Sequence, residues 1–335
     1  YPEDALGRIT KGAAMGLKSR VLLYQGDWAN AAKAAKDVMD LNQYFLFPDY
    51  QGLFLEVNER AAGCEIMMRR CYTPKIDPSY LYYPLGEWPA FAPTKQLADS
   101  YYMNDGLPIS KSPKYDAQNP HMNRDPRFAA SLFYPGCQYL NFMIKAPDPE
   151  VSKDSIQIPS WLLNSTGYRS KKHFDGTLTN AEDEGRDTYF MRYAEILLNY
   201  AEALNESGAT KTDVLTWVDL IRERAGLKGV EESWDTYTNN KKYETIDGRR
   251  EIIQQERGIE LAFEAQRFWD LRRWKLAFQE QNKPITGWNT QYSTNEDYYT
   301  EQLIYTQEFR IRNYFWPILD KELYSNKNLV QNYGW

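Results

Sequence analysis

Leu22-Leu23-Tyr24-Gln25-Gly26-Asp27-Trp28-Ala29-Asn30-Ala31-Ala32-Lys33-Ala34-Ala35-Lys36-Asp37-Val38-Met39 holds, in one short run, the end of a helix, a turn and most of a second helix. Gly26 suits the left-handed end of the first helix. Asp27 is a natural N-cap for the second, because its carboxylate can accept bonds from the free N–H groups of the first turn. Ala31, Ala35 and Val38 fall at i, i+4 and i+7, and their small size lets two helices approach closely. Upstream, within a helical pattern running from Asp4 to about Asn42, Ala14, Leu17, Val21 and Tyr24 line one face at i, i+3, i+7 and i+10. That stripe is the expected core-facing side. The turn and the Ala-rich helix after it resemble a tetratricopeptide helix pair, a unit that cannot bury its own faces and therefore needs neighbours.

Working outward, helical periodicity resumes at Arg192, with Ala194, Leu197, Leu198, Ala201 and Leu204 as an apolar stripe. Val214, Val218 and Ile221 continue it on a partner helix, which Ala225-Gly226-Leu227 closes. A longer helical region is predicted from Gly248 to about Phe278, bent at Gly258. Between the two helical parts, residues 46–190 are crowded with prolines, glycines and aromatics, and read as a loop-rich excursion. Within it Thr94 reads as the N-cap of a short helix reaching Tyr101. These boundaries give four stretches: a helix pair over 1–45, the excursion over 46–190, a helical scaffold over 191–280 and a variable return over 281–335.

Composition narrows the function. No apolar run approaches the roughly 18 residues that span a bilayer, and mean hydropathy is -0.69. Forty basic against 46 acidic residues, without a basic block, argue against affinity built on nucleic-acid phosphates. Cys64, Cys71 and Cys137 lack C-x-x-C spacing and cannot all pair within the chain. The first residues carry no start Met and no apolar signal core, which predicts a processed or truncated chain. No G-x-S-x-G, Walker A, G-x-G-x-x-G, H-E-x-x-H or EF-hand loop is present. No cofactor or metal site is expected. His121 and His173 lie in Pro- or Lys-flanked polar loops and read as solvated surface histidines. In the charged helix 249–273, Glu264 with Arg267 and Asp270 with Arg273 are i, i+3 pairs, and a scaffold is the expected role.

The strongest signal is aromatic: 26 Tyr, 14 Phe and 10 Trp. Such side chains join a flat apolar face to a polar tip and suit wet recognition surfaces. Pro-flanked Tyr82, Tyr83 and Trp88 are the leading candidates for platforms against which a sugar ring stacks. Trp161 beside Pro159, and Trp288 with Tyr292 in an Asn/Thr-rich loop, are weaker ones. At about 1 kcal/mol per stacked ring, three rings give about 3 kcal/mol, short of the roughly 4 kcal/mol of a millimolar complex. Hydrogen bonds and several sugar units must supply the rest.

Several separated segments together resemble the SusD/RagB family of nutrient-binding outer-membrane lipoproteins. They are Gly7-Arg8-Ile9-Thr10-Lys11-Gly12-Ala13-Ala14 leading into the helix pair, Pro93-Thr94, Asp105-Gly106, Asn123-Arg124-Asp125-Pro126-Arg127, and Arg192-Tyr193-Ala194-Glu195-Ile196-Leu197-Leu198-Asn199-Tyr200-Ala201-Glu202-Ala203. Glu256 to Glu264, Arg267-Phe268-Trp269-Asp270-Leu271-Arg272-Arg273-Trp274 and Asn328-Leu329-Val330-Gln331-Asn332 complete the set. The resemblance implies an all-α fold of tetratricopeptide-like helix pairs packed against the excursion, with no catalytic activity and a glycan as ligand. It further implies a SusC-like TonB-dependent transporter as partner and an outer-leaflet lipid anchor at the cell outer membrane. Family members begin with a lipid-bearing Cys and a long segment before the Gly7–Ala14 motif, so the anchor is expected outside this chain. Peptide binding on the same fold, a helical glycoside hydrolase with two opposed carboxylates, and a protein-binding scaffold are the alternatives.

Overall fold

A computed structural model describes residues 7–59, 61–76, 92–139, 142–143, 166–176, 185–289 and 295–335. Helix α1 (Lys11–Gln25) starts where Thr10 Oγ1 accepts from the Ala13 amide at 3.1 Å. It ends at Gly26, whose φ of +75° turns its N–H back onto the carbonyls of Leu22 and Leu23. Asp27 then caps α2 (Trp28–Met39) through the Asn30 amide. The two helices pack as a hairpin, and the buried side of α1, which carries Gly12, Ala13, Gly16 and Ser19, also meets Tyr44, Met67, Met191 and Ile196. A Cβ on Gly16 would lie 2.6 Å from Met191 Sδ, so the approach tolerates only small residues. This inverts the expected orientation of α1: Ala14, Leu17 and Val21 face outward, and Tyr24 is half-buried. Closeness of packing, not hydrophobicity, selects the inner face.

The excursion follows as β1 (Ile66–Arg70), α3 (Lys95–Ser100), α4 (Pro126–Ser131), β2 (Leu132–Phe133), β3 (Gln138–Tyr139), β4 (Phe142–Met143), β5 (Arg169–Ser170) and β6 (Thr188–Arg192). The helical scaffold is α5 (Tyr193–Glu206), α6 (Lys211–Arg224), α7 (Val230–Tyr237), α8 (Ile246–Glu260), α9 (Gln266–Arg273) and α10 (Ala277–Gln281). β7 (Ile285–Trp288), α11 (Asn295–Tyr298), β8 (Glu301–Tyr305) and α12 (Asp320–Ser325) complete the described elements. The strands pair only in antiparallel twos, β1 with β6, β2 with β5, β3 with β4 and β7 with β8. Helices carry the architecture. α5 is its axis, packed by α2, α6 and α8, with Ile196, Leu197, Leu198 and Ala201 buried. Thr94 caps α3 as expected, accepting from Leu97 at 3.1 Å.

The helical region expected to run to about Phe278 with a bend at Gly258 stops at Glu260. Phe263 and Ala265 adopt φ of +64° and +59°, left-handed values that L residues hold only when surroundings impose them. The imposing contacts are visible. Lys172 Nζ donates to the Glu260 and Ala262 carbonyls, both at 2.9 Å, and Arg192 Nη2 to Glu260 O at 2.7 Å. The break turns Glu264 away from Arg267 and onto Lys172 (2.6 Å) and Arg192 (2.7 Å), so the expected Glu264–Arg267 pair is replaced by contacts between distant elements. The Asp270–Arg273 pair forms at 2.8 Å.

Around this break lies a buried ionic network. Arg127 bonds Asp125 (2.8 Å), Glu256 (2.6 Å) and Glu260 (3.0 Å), while Arg192 bonds Glu65 (2.8 Å) and Glu260 (2.6 Å). These side chains are almost wholly buried, so their desolvation is repaid only because each carboxylate meets arginines in hydrogen-bonding geometry. The network ties α4 and the edge of β1 to α8. The excursion is thereby fixed to the helical scaffold.

Candidate functional site

Of the six aromatic candidates, Trp288 lies among the described residues; Tyr82, Tyr83, Trp88, Trp161 and Tyr292 lie outside them. Trp288 is held in the interior. It ends β7 with 4% exposure, so it is packed and not presented to solvent. Its indole N–H donates to the Tyr168 hydroxyl at 2.8 Å, and its ring meets Tyr299 edge-on at 5.5 Å. An indole buried with its polar tip satisfied is a structural anchor.

Tyr168 extends that contact. Its hydroxyl lies 3.2 Å from His121 Nε2. Either group can donate in that contact, according to the imidazole tautomer. The chain runs from the Trp288 N–H to the Tyr168 oxygen, which in turn lies against His121 Nε2. His121 packs against Phe128, Tyr134 and Tyr299, with centroids 4.8–5.9 Å away. It is not the solvated surface histidine expected. Burial, then the nearby Arg124 charge, lowers its pKa to about 3, so it is neutral at physiological pH. His173 is likewise half-buried, edge-on to Phe54 at 5.1 Å, and burial takes it to about 3.

Lys95, at the start of α3, holds Nζ 4.8 Å above the Trp288 ring and bonds Asp99 (2.6 Å) and Glu301 (3.3 Å). Burial alone lowers the Lys95 pKa, but the Asp99 and Glu301 contacts outweigh it and leave it raised, so the ammonium is fully charged. This is the cation–π contact of a shielded site.

Trp288 thus sits where separate parts of the chain meet. Its amide donates to Thr166 O at 3.1 Å, and the Asn289 amide reaches the carbonyls of Tyr298 and Thr300, both at 3.0 Å. Thr166 follows the segment containing Trp161. Asn289 and Asn295 flank the segment containing Tyr292, and Lys95 lies just after the segment containing Tyr82, Tyr83 and Trp88. Thr166, Asn289 and Lys95 thus meet at one aromatic floor. Sequence reasoning missed His121, Tyr168 and Lys95. Their neighbours in sequence say nothing of the long-range contacts that define them.

The acids of the charged helix are arranged otherwise. Glu256, Glu260, Glu264 and Asp270 are each held by arginine or lysine, as a scaffold requires. Among the described residues no group of three or more His, Cys, Asp or Glu is placed to hold a metal ion. No described helix is long and apolar enough to cross a membrane.

Residues 56–335 match the SusD family. The chain belongs to it. SusD-like protein P2 of Formosa agariphila is 28% identical over 341 residues, covering 96% of this chain and 59% of that protein. A SusD-like carbohydrate binding protein from Bacteroides fragilis superposes with a TM-score of 0.80 at 27% identity, across 98% of this chain and 66% of the other. A second SusD-like protein from that species gives 0.76 at 27% identity, over 100% and 67%. The chain thus spans less than two thirds of the curated relatives it matches. Family membership and the helical fold agree with the resemblance read from the motifs.

Proposed function

We propose that this SusD-family chain binds a glycan without cleaving it, beside the aromatic floor around Trp288. In this reading Tyr82, Tyr83, Trp88, Trp161 and Tyr292 serve as stacking platforms, and Trp288 is part of the buried aromatic floor. The protein then delivers its ligand to a SusC-like TonB-dependent transporter, held at the cell surface by an outer-membrane lipid anchor. The observation that supports this reading is that Thr166, Asn289 and Lys95, each near one aromatic-bearing stretch of the sequence, lie together at Trp288, since glycan affinity needs several rings acting together. The carbohydrate-binding description of the similar Bacteroides fragilis protein supports the choice of ligand.

The test is a titration of the full-length protein against soluble polysaccharides and oligosaccharides, with Trp88→Ala in parallel and reducing ends assayed in each mixture. Saturable binding weakened in the variant, with no new reducing ends, is the expected result. Absence of binding to every glycan would shift the ligand to peptide, and new reducing ends would make the protein a hydrolase.

A further inference from the structure

Trp288 and Glu301 stand opposite each other in the β7–β8 ladder, so their side chains leave the hairpin on one face. Lys95 reaches over that face from α3. Its ammonium lies 4.8 Å above the indole and bonds Asp99 at 2.6 Å and Glu301 at 3.3 Å. The three layers differ in what they show to water: the indole is buried, the lysine side chain is 8% exposed, and the Asp99 and Glu301 side chains are 27% and 52% exposed. Positive charge lies inside and negative charge outside. Arg124, another cation that acts on Asp99, is buried as well, donating to the carbonyls of Pro120 at 2.9 Å and Tyr101 at 3.1 Å. Burial raises the Glu301 pKa, but Thr286 and Lys95 outweigh it and leave it lowered, so this carboxylate is ionised at neutral pH. Burial, then the Asp99 charge, raises the pKa of Tyr115, whose half-buried ring therefore stands near the same acids.

We propose that Asp99 and Glu301 make this site selective for uncharged glycans, accepting hydrogen bonds from sugar hydroxyls and repelling chains that carry uronate or sulfate groups. This selectivity rests on the glycan-binding reading above, whose ligand class it narrows. Lys95 takes one oxygen of each carboxylate, Oδ2 of Asp99 and Oε2 of Glu301, and so orients both while leaving further acceptor positions. A carboxylate held in this way is a charge-assisted acceptor, and a sugar hydroxyl can donate to it where a sulfate oxygen cannot. An anionic chain also carries hydroxyls, but it brings its charge up against two carboxylates, and the ammonium that would attract it is already shared by them and lies beneath. With one ammonium between two acids, a residual negative charge faces the ligand. Like charge set against like is a means of rejecting the wrong partner.

The experiment titrates the full-length protein and its Glu301→Lys variant against neutral polysaccharides (amylopectin, arabinoxylan, galactomannan) and anionic ones (polygalacturonate, alginate, carrageenan), at low and at high salt. The wild type is expected to bind a neutral member most tightly, with less than about a twofold change between the two salt conditions. Glu301→Lys should raise the ratio of anionic to neutral affinity at least about fivefold, a gain that high salt removes. Glu301→Gln, which keeps the side-chain shape, should move the ratio the same way by a smaller factor, and it carries the test where Glu301→Lys does not fold. An anionic polysaccharide as the tightest wild-type partner, weakened by salt, would overturn the selectivity while leaving the glycan reading in place, as would a ratio unmoved in both variants. Binding of the wild type to no member of either set would instead remove the glycan reading, and this selectivity with it.

Discussion

Arg192 and Glu264 meet in two parallel hydrogen bonds, Nε to Oε2 at 2.7 Å and Nη2 to Oε1 at 2.8 Å, with 1% and 7% of their side chains exposed. One ends β6 and the other sits in the turn between α8 and α9, so the pair locks the strand onto the helix break. Glu264 also accepts from Lys172 at 2.6 Å. Removing its charge leaves two buried cations short of a partner, a loss that typically costs about 3–5 kcal/mol. Glu264→Gln is therefore expected to lower unfolding free energy by roughly 3 kcal/mol in urea titrations. A change below about 1 kcal/mol would show that the lock is not structural. Arg192→Met combined with Glu264→Leu should recover part of the loss, because no charge is then stranded.

Acid should weaken the protein in two stages. Burial pushes Glu264 up, but Arg192 and Lys172 outweigh it and hold its pKa at about 2, below the ordinary 4.5. Between those values the unfolded chain takes up a proton that the folded chain refuses, so this stability is present above pH 4.5 and lost as pH falls towards 2. The histidines act earlier. With folded values of about 3 against 6.5, His121 and His173 stay neutral in the folded state while the unfolded state charges, so stability declines from pH 6.5 downward. The urea midpoint should fall gently below pH 6.5 and steeply below about 4.5. His121→Gln should roughly halve the upper slope. A midpoint flat from pH 7 to 5 would contradict the burial assigned to both rings.

What the sequence made legible was local. Gly26 and Asp27 announced a helix end and a cap, Thr94 announced another, and the 3.6-residue spacing of Leu197, Leu198 and Ala201 marked the central helix. Periodicity could not tell which apolar face of α1 points inward, because Gly12 and Gly16 contribute no hydrophobicity yet decide how close Met191 can come. Nor could spacing reveal that Glu264 bonds Arg192, 72 residues away, in place of Arg267 three residues on. At the candidate site, counting aromatics raised Trp288 without distinguishing a platform from a floor. That distinction rests on Tyr168, 120 residues distant, whose hydroxyl oxygen accepts the indole hydrogen bond.

Two glycines of α8 should answer the same substitution in opposite ways. A Cβ on Gly248 would stand 1.8 Å from the backbone carbonyl oxygen of Lys242, which cannot swing aside. Gly248→Ala must shift the α8 N-terminus and is expected to cost more than about 2 kcal/mol. Gly258 lies in the last turn of the same helix, and a Cβ there would meet only Arg267 Nη1, at 3.7 Å. Gly258→Ala gains helix propensity without a clash, and should raise stability by about 0.5–1 kcal/mol. Thermal melts of the two variants check both signs. Destabilisation by Gly258→Ala would mean that the helix needs a bend there.

Floor and platform should separate experimentally. Trp288→Ala empties a buried indole site and is expected to cost about 3–5 kcal/mol of stability, which makes it a poor probe of binding. Trp288→Phe is the informative change. It keeps a ring under Lys95 and removes only the bond to Tyr168, so about 1 kcal/mol of stability and less than a twofold change in glycan affinity are expected. Trp88→Ala should do the reverse, leaving the melting temperature within about 2 °C while weakening the glycan about fivefold, the equivalent of one stacked ring. Isothermal titration beside thermal melts of each variant decides the matter. If Trp288→Phe abolished binding at unchanged stability, the indole would itself be a ligand contact, and the floor would belong to the binding surface.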